Sequence, residues 1–284
     1  MIVSGSATQA FAAALARATG EPLGRVQYER FPDGELQVRV EDADIDRAVV
    51  VASTVSSDAH IELLQLQDAV REAGVDDVTT VLPYMGYARQ DRAFRPGEPV
   101  SSRAVARAIS TGTDRVLTVN PHEDRVCDYF DVPATSIDAA SVLADPLPAD
   151  LEDPLFLSPD EGAIDLAETV RDAYGRGATD YFVKERDYDT GEIEIEPNDA
   201  TCDGRDVVLT DDIIATGSTM SESVAVLNDR GAARVYVSCV HPLLASNAVT
   251  KLSAAGVEAI YGTDTIERSV SDVSVAPVVA EKLP

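Results

Sequence analysis

Short apolar runs punctuate this chain at wide intervals, and most are separated by stretches whose apolar positions recur every third or fourth residue. The runs at Ala48–Ser53, Val78–Pro83, Arg115–Val119, Leu155–Leu157, Val207–Leu209, Arg234–Val240 and Glu258–Tyr261 are nearly continuous and rich in β-branched residues, the pattern of strands buried on both faces. Helical periodicity predicts helices near Ile61–Ala73, Ser102–Ile109, Ala163–Tyr174, Ser218–Arg230 and Ala245–Ala254. Glycines close several of them (Gly74, Gly112, Gly231, Gly256), as expected where a helix ends in a left-handed residue. Strands alternating with helices predict parallel α/β units. The proline-rich, acidic stretch Asp145–Pro154 reads as a linker between two halves.

The halves share a pattern. Val50–Gly74 can be laid over Val207–Gly231 without a gap, as apolar strand, loop, long helix and closing glycine, and the strands that follow also correspond. Thr54 and Val55 then stand where the second copy has Asp211 and Asp212, and His60 stands where it has Gly217. Two halves of one fold are predicted, with a ligand loop kept in the second.

Length and composition narrow the class. The 284 residues suffice for two domains of ordinary size. No apolar run is long enough to span a bilayer, and the opening MIVSGS lacks the layout of a signal peptide. Three scattered cysteines without paired spacing argue against a disulfide framework or a zinc site, and for a reducing cytoplasm. The net charge of −27, from 23 basic and 50 acidic residues, makes nucleic acid an unsuitable partner, because phosphate backbones need basic patches. Such self-repulsion is costly at low ionic strength and screened at high salt, which suits a salt-accumulating cytoplasm. Arginine carries most of the positive charge; Lys184, Lys251 and Lys282 are the only lysines.

The most informative chemistry lies in Val207–Met220. An apolar strand ends in Asp211 and Asp212; a turn with Ala215, Thr216, Gly217, Ser218 and Thr219 follows, then a helix. Such a turn aims N–H groups and hydroxyls at one point, at the positive end of a helix dipole, where a phosphate monoester fits. The carboxylates would repel a phosphate but suit vicinal ribose hydroxyls or a cation. A sugar-phosphate site is predicted.

Other segments carry candidate chemistry. Pro83-Tyr-Met-Gly-Tyr-Ala-Arg-Gln-Asp-Arg92 follows a predicted strand, where α/β proteins bind ligands; Arg89 and Arg92 offer forks for phosphate and Gln90 an edge for a base or ribose. Phe31-Pro-Asp-Gly-Glu35 lies near the N-terminus. His122, in Asn120-Pro-His-Glu123, ends a predicted strand and can hold a metal through a neutral imidazole. Asp160, in Leu157-Ser-Pro-Asp-Glu-Gly162, occupies a capping position. Lys184 and Arg186, in a predicted hairpin-like arm running to Glu192–Glu196, fall on one face of an extended strand, and two like charges side by side suggest an anionic target.

Together these motifs resemble those of the ribose-phosphate pyrophosphokinases (PRPP synthetases): the DD…TGST loop, the YARQDR segment, the F-x-DGE turn, the metal histidine, the SPD-x-G loop and the K-x-R arm. The motifs span roughly residues 31 to 219. The resemblance implies an α/β fold of two tandem type I phosphoribosyltransferase-like domains, each a mainly parallel sheet flanked by helices, at 1–143 (completed by 270–284) and 144–269. It implies transfer of the β,γ-diphosphoryl group of ATP to ribose 5-phosphate, with Mg2+ as cofactor. It assigns Phe31, Asp33, Gly34, Glu35, Arg89, Gln90 and Asp91 to ATP, and Arg186, Asp211, Asp212, Ala215, Thr216, Gly217, Ser218 and Thr219 to ribose 5-phosphate. His122 and Asp160 fall to the metal, and Lys184 and Arg186 to catalysis. A homo-oligomer with an ATP site shared between subunits is implied as well. Three positions depart from the family pattern: Asn120 and Ala215 stand where aspartate is common, and Ala163 where a second glycine is frequent. A phosphoribosyltransferase that consumes PRPP would explain the DD…TGST loop but leave FPDGE and YARQDR unused. A silent regulatory subunit would typically lose the K-x-R arm.

Overall fold

The computed structural model describes residues 1–41, 46–186 and 193–284, without the side chains of 184–186 and 193–196. The chain forms two compact units, one of residues 1–139, 264–267 and 274–284, the other of residues 140–263 and 268–273. Among the described residues no helix is long and apolar enough to cross a membrane.

Along the first unit run β1 (Ile2–Ser4), α1 (Gln9–Thr19), an antiparallel hairpin of β2 (Val26–Arg30) and β3 (Leu36–Val40), β4 (Arg47–Val51), α2 (Ser57–Glu72), β5 (Asp77–Leu82), α3 (Ser101–Ser110), β6 (Arg115–Val119) and β7 (Ala134–Ile137). The second unit repeats that order with β8 (Leu155–Ser158), α4 (Ile164–Tyr174), a hairpin of β9 (Ala178–Arg186) and β10 (Ile193–Pro197), β11 (Asp206–Ile213), α5 (Ser218–Asp229), β12 (Arg234–His241), α6 (Ala248–Ala254), β13 (Ala259–Thr263) and β14 (Ser271–Val273). The five parallel strands of the first sheet lie in the order β1-β4-β5-β6-β7. Those of the second lie as β8-β11-β12-β13-β14, with β9 and β10 added beyond β8. The gap-free overlay of Val50–Gly74 on Val207–Gly231 thus pairs β4 and α2 with β11 and α5, elements at equivalent places in the two units. Gly74 and Gly231 both take positive φ, 92° and 83°.

Each sheet's apolar strands meet the apolar stripes of helices, and burying each such leucine or valine contributes about 2 kcal/mol. In the first unit Val50, Val78 and Val116 pack with Leu63, Leu66 and Val70 of α2 and Ala106 and Ile109 of α3. In the second, Leu155, Leu157, Val207, Leu209, Val235 and Val237 pack with Val224 and Leu227 of α5 and Leu252 of α6.

Two expectations change. The strand expected at Val207–Leu209 runs on to Ile213, because the long β12 supplies pairing partners as far as Asp211↔Cys239 and Ile213↔His241. The two carboxylates close the strand, as expected, but are themselves paired within it or flanked by its pairs. Gly112 is not a left-handed cap, since its φ is not positive; a Cβ there would lie 2.7 Å from the Gln67 Cβ, so close approach of α2 explains the glycine. The short elements β1, β7, β14 and α7 (Ala276–Ala280) carry too little period to be read alone, whereas α1 and the β2–β3 hairpin, with Leu36, Val38 and Val40 alternating, are elements the sequence reading did not include. α7 packs on α1, and the Glu267 carboxylate accepts the N–H groups of Ala10 (2.6 Å) and Phe11 (3.1 Å) at the start of α1, which ties the returning segment to the first unit.

The expected linker is mostly irregular. Its end is anchored in the second unit: buried Asp206 accepts the Glu152 N–H and two bonds from the Arg234 guanidinium.

Candidate active site

In each unit the candidate residues outside the two hairpins follow the C-terminal ends of parallel strands, the edge where open α/β sheets bind ligands. In the second unit β8 leads into Ser158-Pro-Asp160. The Asp160 carboxylate accepts the Gly162 N–H at 3.1 Å and caps a single 3-10 turn that opens α4. β11 lies beside β8, with Leu157 paired to Leu209, so Asp211 and Asp212 emerge near Asp160. Burial pushes the Asp211 carboxyl well up from the usual range, the charge of Asp212 adds to this, and Asp160 contributes further. Asp211 Oδ1 accepts the Asp212 N–H at 2.9 Å. Like charges brought together in a buried place raise the cost of charging any one of them.

The turn that follows is fastened from one side. The Leu244 N–H donates to the Ile214 carbonyl (2.9 Å) and the Ala245 N–H to the Ala215 carbonyl (2.8 Å). Gly217 has φ of 70°, and a Cβ there would meet Ala248 at a tight 3.2 Å, so both the backbone conformation and the packing favour glycine. α5 starts at once, and the N–H groups of its first turn have no intrahelical partner. The Thr216 and Ser218 hydroxyls stand 3.5 Å apart at this end, and Lys251 of α6 donates to Ser218 Oγ at 2.9 Å. Reading along the sequence missed Lys251; its rarity in a lysine-poor chain is the signal that was available.

The hairpin arm is visible in its backbone. β9 pairs with β8 as far as Ser158↔Tyr181 and then continues alone with β10, Lys184 opposite Ile195 and Arg186 opposite Ile193. At about 3.3 Å per residue, the backbone of residues 184–186 lies roughly 10–17 Å beyond the end of β8, on the ligand side. The side chains of Lys184 and Arg186 lie outside the described residues.

In the first unit the place equivalent to the phosphate loop is filled from within. Glu62, which aligns with Thr219, is buried, and its carboxylate accepts the Ser6 N–H (2.6 Å) and hydroxyl (2.7 Å). The 83–92 segment instead builds its own surface after β5. Gly86 passes so close to Thr54 that a Cβ would sit 2.2 Å from the Thr54 carbonyl oxygen. Tyr87 then turns with φ of 63°, exposed, its hydroxyl 3.1 Å from that of Ser57. Arg89 is exposed and Arg92 lies over the Phe94 ring at 5.3 Å. Gln90 accepts through its carbonyl from Ser102 and through its side chain from Ser101. Asp91 is buried and paired with Arg125, and Tyr129 donates to its carbonyl at 2.7 Å. Asp91 thus anchors the loop that carries Arg89 and Gln90.

The Phe31–Glu35 turn tips the β2–β3 hairpin. Asp33 Oδ1 accepts the Glu35 N–H, Gly34 has φ of 94°, and all five residues are exposed, Phe31 to 47 %. Arg30 pairs with Asp58 at 2.6 Å and so ties the hairpin to the first turn of α2. His122 is exposed just past β6. The Asn120 amide donates to Asp138 (2.8 Å) and its oxygen accepts the Ala139 N–H, so this side chain joins the exits of β6 and β7. Among the described residues no three His, Cys, Asp or Glu side chains form a ready metal cage.

His60, half-buried at a ring distance of 5.4 Å from Tyr87, has its pKa pushed down to about 4 by burial. A base depressed in the fold contributes full stability above its ordinary value near 6.5, and the contribution is lost as pH falls toward about 4. His60→Gln should remove that share of the acid sensitivity. Thermal melts at pH 7 and pH 4.5 check it: the drop between them should be smaller in the variant, and an equal drop would mean that His60 does not titrate in this range.

The family follows from comparison. Residues 1–112 match a family model described as the N-terminal domain of ribose phosphate pyrophosphokinase, and residues 199–279 match a phosphoribosyl synthetase-associated domain. Ribose-phosphate pyrophosphokinase from Halobacterium salinarum is 65% identical over 284 residues, covering 100% of both chains. The chain belongs to the ribose-phosphate pyrophosphokinase family. The Methanosarcina mazei ribose-phosphate pyrophosphokinase is 44% identical over 285 residues, covering 99% of this chain and 94% of its own. The crystal structure of phosphoribosylpyrophosphate synthetase from Mycobacterium smegmatis superposes with a TM-score of 0.85 at 27% identity, covering 99% and 96% of the two chains. The ribose-phosphate pyrophosphokinase fold of two phosphoribosyltransferase-like domains is thereby established here, and the acidic composition fits the halophilic relative.

Proposed function

We propose that this enzyme joins ATP and ribose 5-phosphate through the residues just described, giving PRPP and AMP. The observation that carries the assignment is the acid pair Asp211–Asp212 at the end of β11, leading directly into the fastened turn at the N-terminus of α5. Ala215–Thr219 receive the 5-phosphate, with the free N–H groups of the first helical turn and the Ser218 and Thr219 hydroxyls as donors. Asp211 and Asp212 accept from the ribose hydroxyls. The anomeric hydroxyl then attacks the β-phosphorus in line, its proton leaves, and the bond to the α-phosphate oxygen breaks to release AMP. Such transfer asks mainly for positioning and charge neutralisation. Phe31, Asp33, Gly34 and Glu35 at one tip and Arg89 and Gln90 in the 83–92 loop hold ATP, with Asp91 keeping that loop in place. Lys184 and Arg186 close on the transferring group.

The donor set fits Mg2+. Asp160 supplies hard carboxylate oxygens and acts electrostatically on Asp211, and a small number of protein ligands is usual for Mg2+, which completes its shell with substrate phosphates and water. Asp160 and His122 are the residues assigned to it. When bound, Mg2+ neutralises phosphate charge and orients the polyphosphate.

AMP formation from ATP, magnesium and ribose 5-phosphate tests the reading. AMP produced only when all three are present is expected; a purified, folded protein that yields none would overturn it.

Exposed Phe31 supports a site shared between subunits of a homo-oligomer, its aromatic face offered to a neighbour's ATP. Phe31→Ala and Arg89→Ala should each be nearly inactive alone, while randomly mixed 1:1 oligomers regain up to about a quarter of wild-type activity, because about one shared site in four then draws both residues from intact partners. Verified mixed oligomers with no recovery would place each ATP site within one chain.

A further inference from the structure

Lys251 stands in an electrostatically odd place. It projects from α6, half-buried, and its ammonium donates to two neutral oxygens, Ser218 Oγ at 2.9 Å and the Thr216 carbonyl at 3.4 Å. Among the described residues it forms no ion pair, in a chain whose net charge is −27. Both oxygens belong to the turn at the N-terminus of α5, the positive end of that helix, where a cation is disfavoured. A lysine held there costs the ligand-free fold something, and an arriving anion repays it. The geometry is not accidental, since Gly217 packs against Ala248 and the 244–245 backbone is bonded to the 214–215 backbone, which sets α6 against the turn.

We propose that Lys251 is a positioning residue for the 5-phosphate of ribose 5-phosphate, acting through Ser218; this rests on the assignment of the Ala215–Thr219 turn above. The ammonium has three donors and no acceptor. By donating to Ser218 Oγ it occupies a lone pair of that oxygen, so the Ser218 hydrogen is left to point at the ligand. By donating to the Thr216 carbonyl it holds the turn in the conformation that presents the N–H groups of α5. Its positive charge adds long-range attraction for a phosphate dianion. A lysine suits the task better than an arginine, because a compact ammonium fits beside a turn where a planar fork would need a wider approach. The choice is informative in a chain that otherwise uses arginine for most of its cations.

Steady-state kinetics and calorimetry on the full-length enzyme at one fixed KCl concentration test this. Lys251→Met should raise the KM and the Kd for ribose 5-phosphate about tenfold or more, as loss of one charge-assisted hydrogen bond does. The kcat and the KM for ATP should stay within about twofold of wild type, and the melting temperature of the ligand-free protein should be unchanged or higher. Lys251→Arg should recover only part of the affinity, because it restores the charge but not the compact donor, and in a Ser218→Ala background the Lys251→Met loss should shrink. Should the methionine variant fail to fold, Lys251→Leu, which likewise has no donor, carries the same expectation. Affinity for ribose 5-phosphate within twofold of wild type, or an equal loss for ATP, would overturn the proposal. If Ser218→Ala and Asp211→Asn also leave ribose 5-phosphate binding intact, the assignment of the turn itself falls. If those two weaken it and Lys251→Met does not, only the role of Lys251 falls.

Discussion

Lys184→Ala should fold normally, bind ATP and ribose 5-phosphate nearly as well as wild type, and turn over at least about a hundredfold more slowly. The expectation begins with the strand. β9 outruns β8 by the residues that follow Tyr181, and past that point it is paired only with β10. The backbone of both cationic residues is therefore carried past the end of β8 by the β9–β10 pairing alone. The arm's sequence puts Lys184 and Arg186 two residues apart in a chain with few lysines, where strand alternation makes them neighbours. Like charges so placed gain only when a polyanion lies opposite. If that gain is largest for the charge that develops during transfer, removing one contact depresses kcat far more than it raises KM. Arg186→Ala should behave similarly, with some added loss of affinity for the sugar phosphate. A kcat within a few-fold of wild type, measured on folded Lys184→Ala protein, would remove this arm from the mechanism.

Much of the fold was legible in advance because parallel strands covered on both faces are written as continuous apolar runs. β6 falls on Arg115–Val119, the stretch expected, and the strands at Ala48, Val78, Leu155 and Arg234 shift by a residue or two. What stayed hidden was short or depended on distant partners. β1 and β14 are three residues long, too short for a period, and exist because β4 and β13 pair with them. The extension of β11 through Asp212 runs against strand propensity and is imposed by β12. The same division holds for the site. Asp160, Asp211 and the Ala215–Thr219 turn are contiguous motifs and could be read directly. Lys251 lies more than thirty residues beyond Ser218, and only the packing of α6 on the turn brings it there. Asp91 shows the converse: it sits inside a legible motif, yet its carboxylate is taken by Arg125 from another element. Glu62 likewise appears as an ordinary helical acid until Ser6 is found against it.

Asp211→Asn should weaken ribose 5-phosphate binding about ten- to a hundredfold, leave ATP binding within about twofold, and yet stabilise the ligand-free protein by about 1 kcal/mol. The two effects have one cause. Burial and the neighbouring charge of Asp212 push the Asp211 carboxyl up, so the fold resists an ionised side chain at this position. Asparagine keeps the shape and keeps an oxygen to accept the Asp212 N–H, which Asp211 Oδ1 now does at 2.9 Å. It removes the repulsion, and the ligand-free fold gains. A ribose hydroxyl, however, donates more strongly to a carboxylate than to an amide, and an amide offers one acceptor oxygen where the carboxylate has two. Retaining a destabilising aspartate is then the cost of gripping the sugar. Melting curves with and without ribose 5-phosphate, paired with the KM for each substrate, separate the outcomes. An equal loss for both substrates, or a fall in ligand-free stability, would mean that the acid pair holds the strand end together and does not bind the sugar.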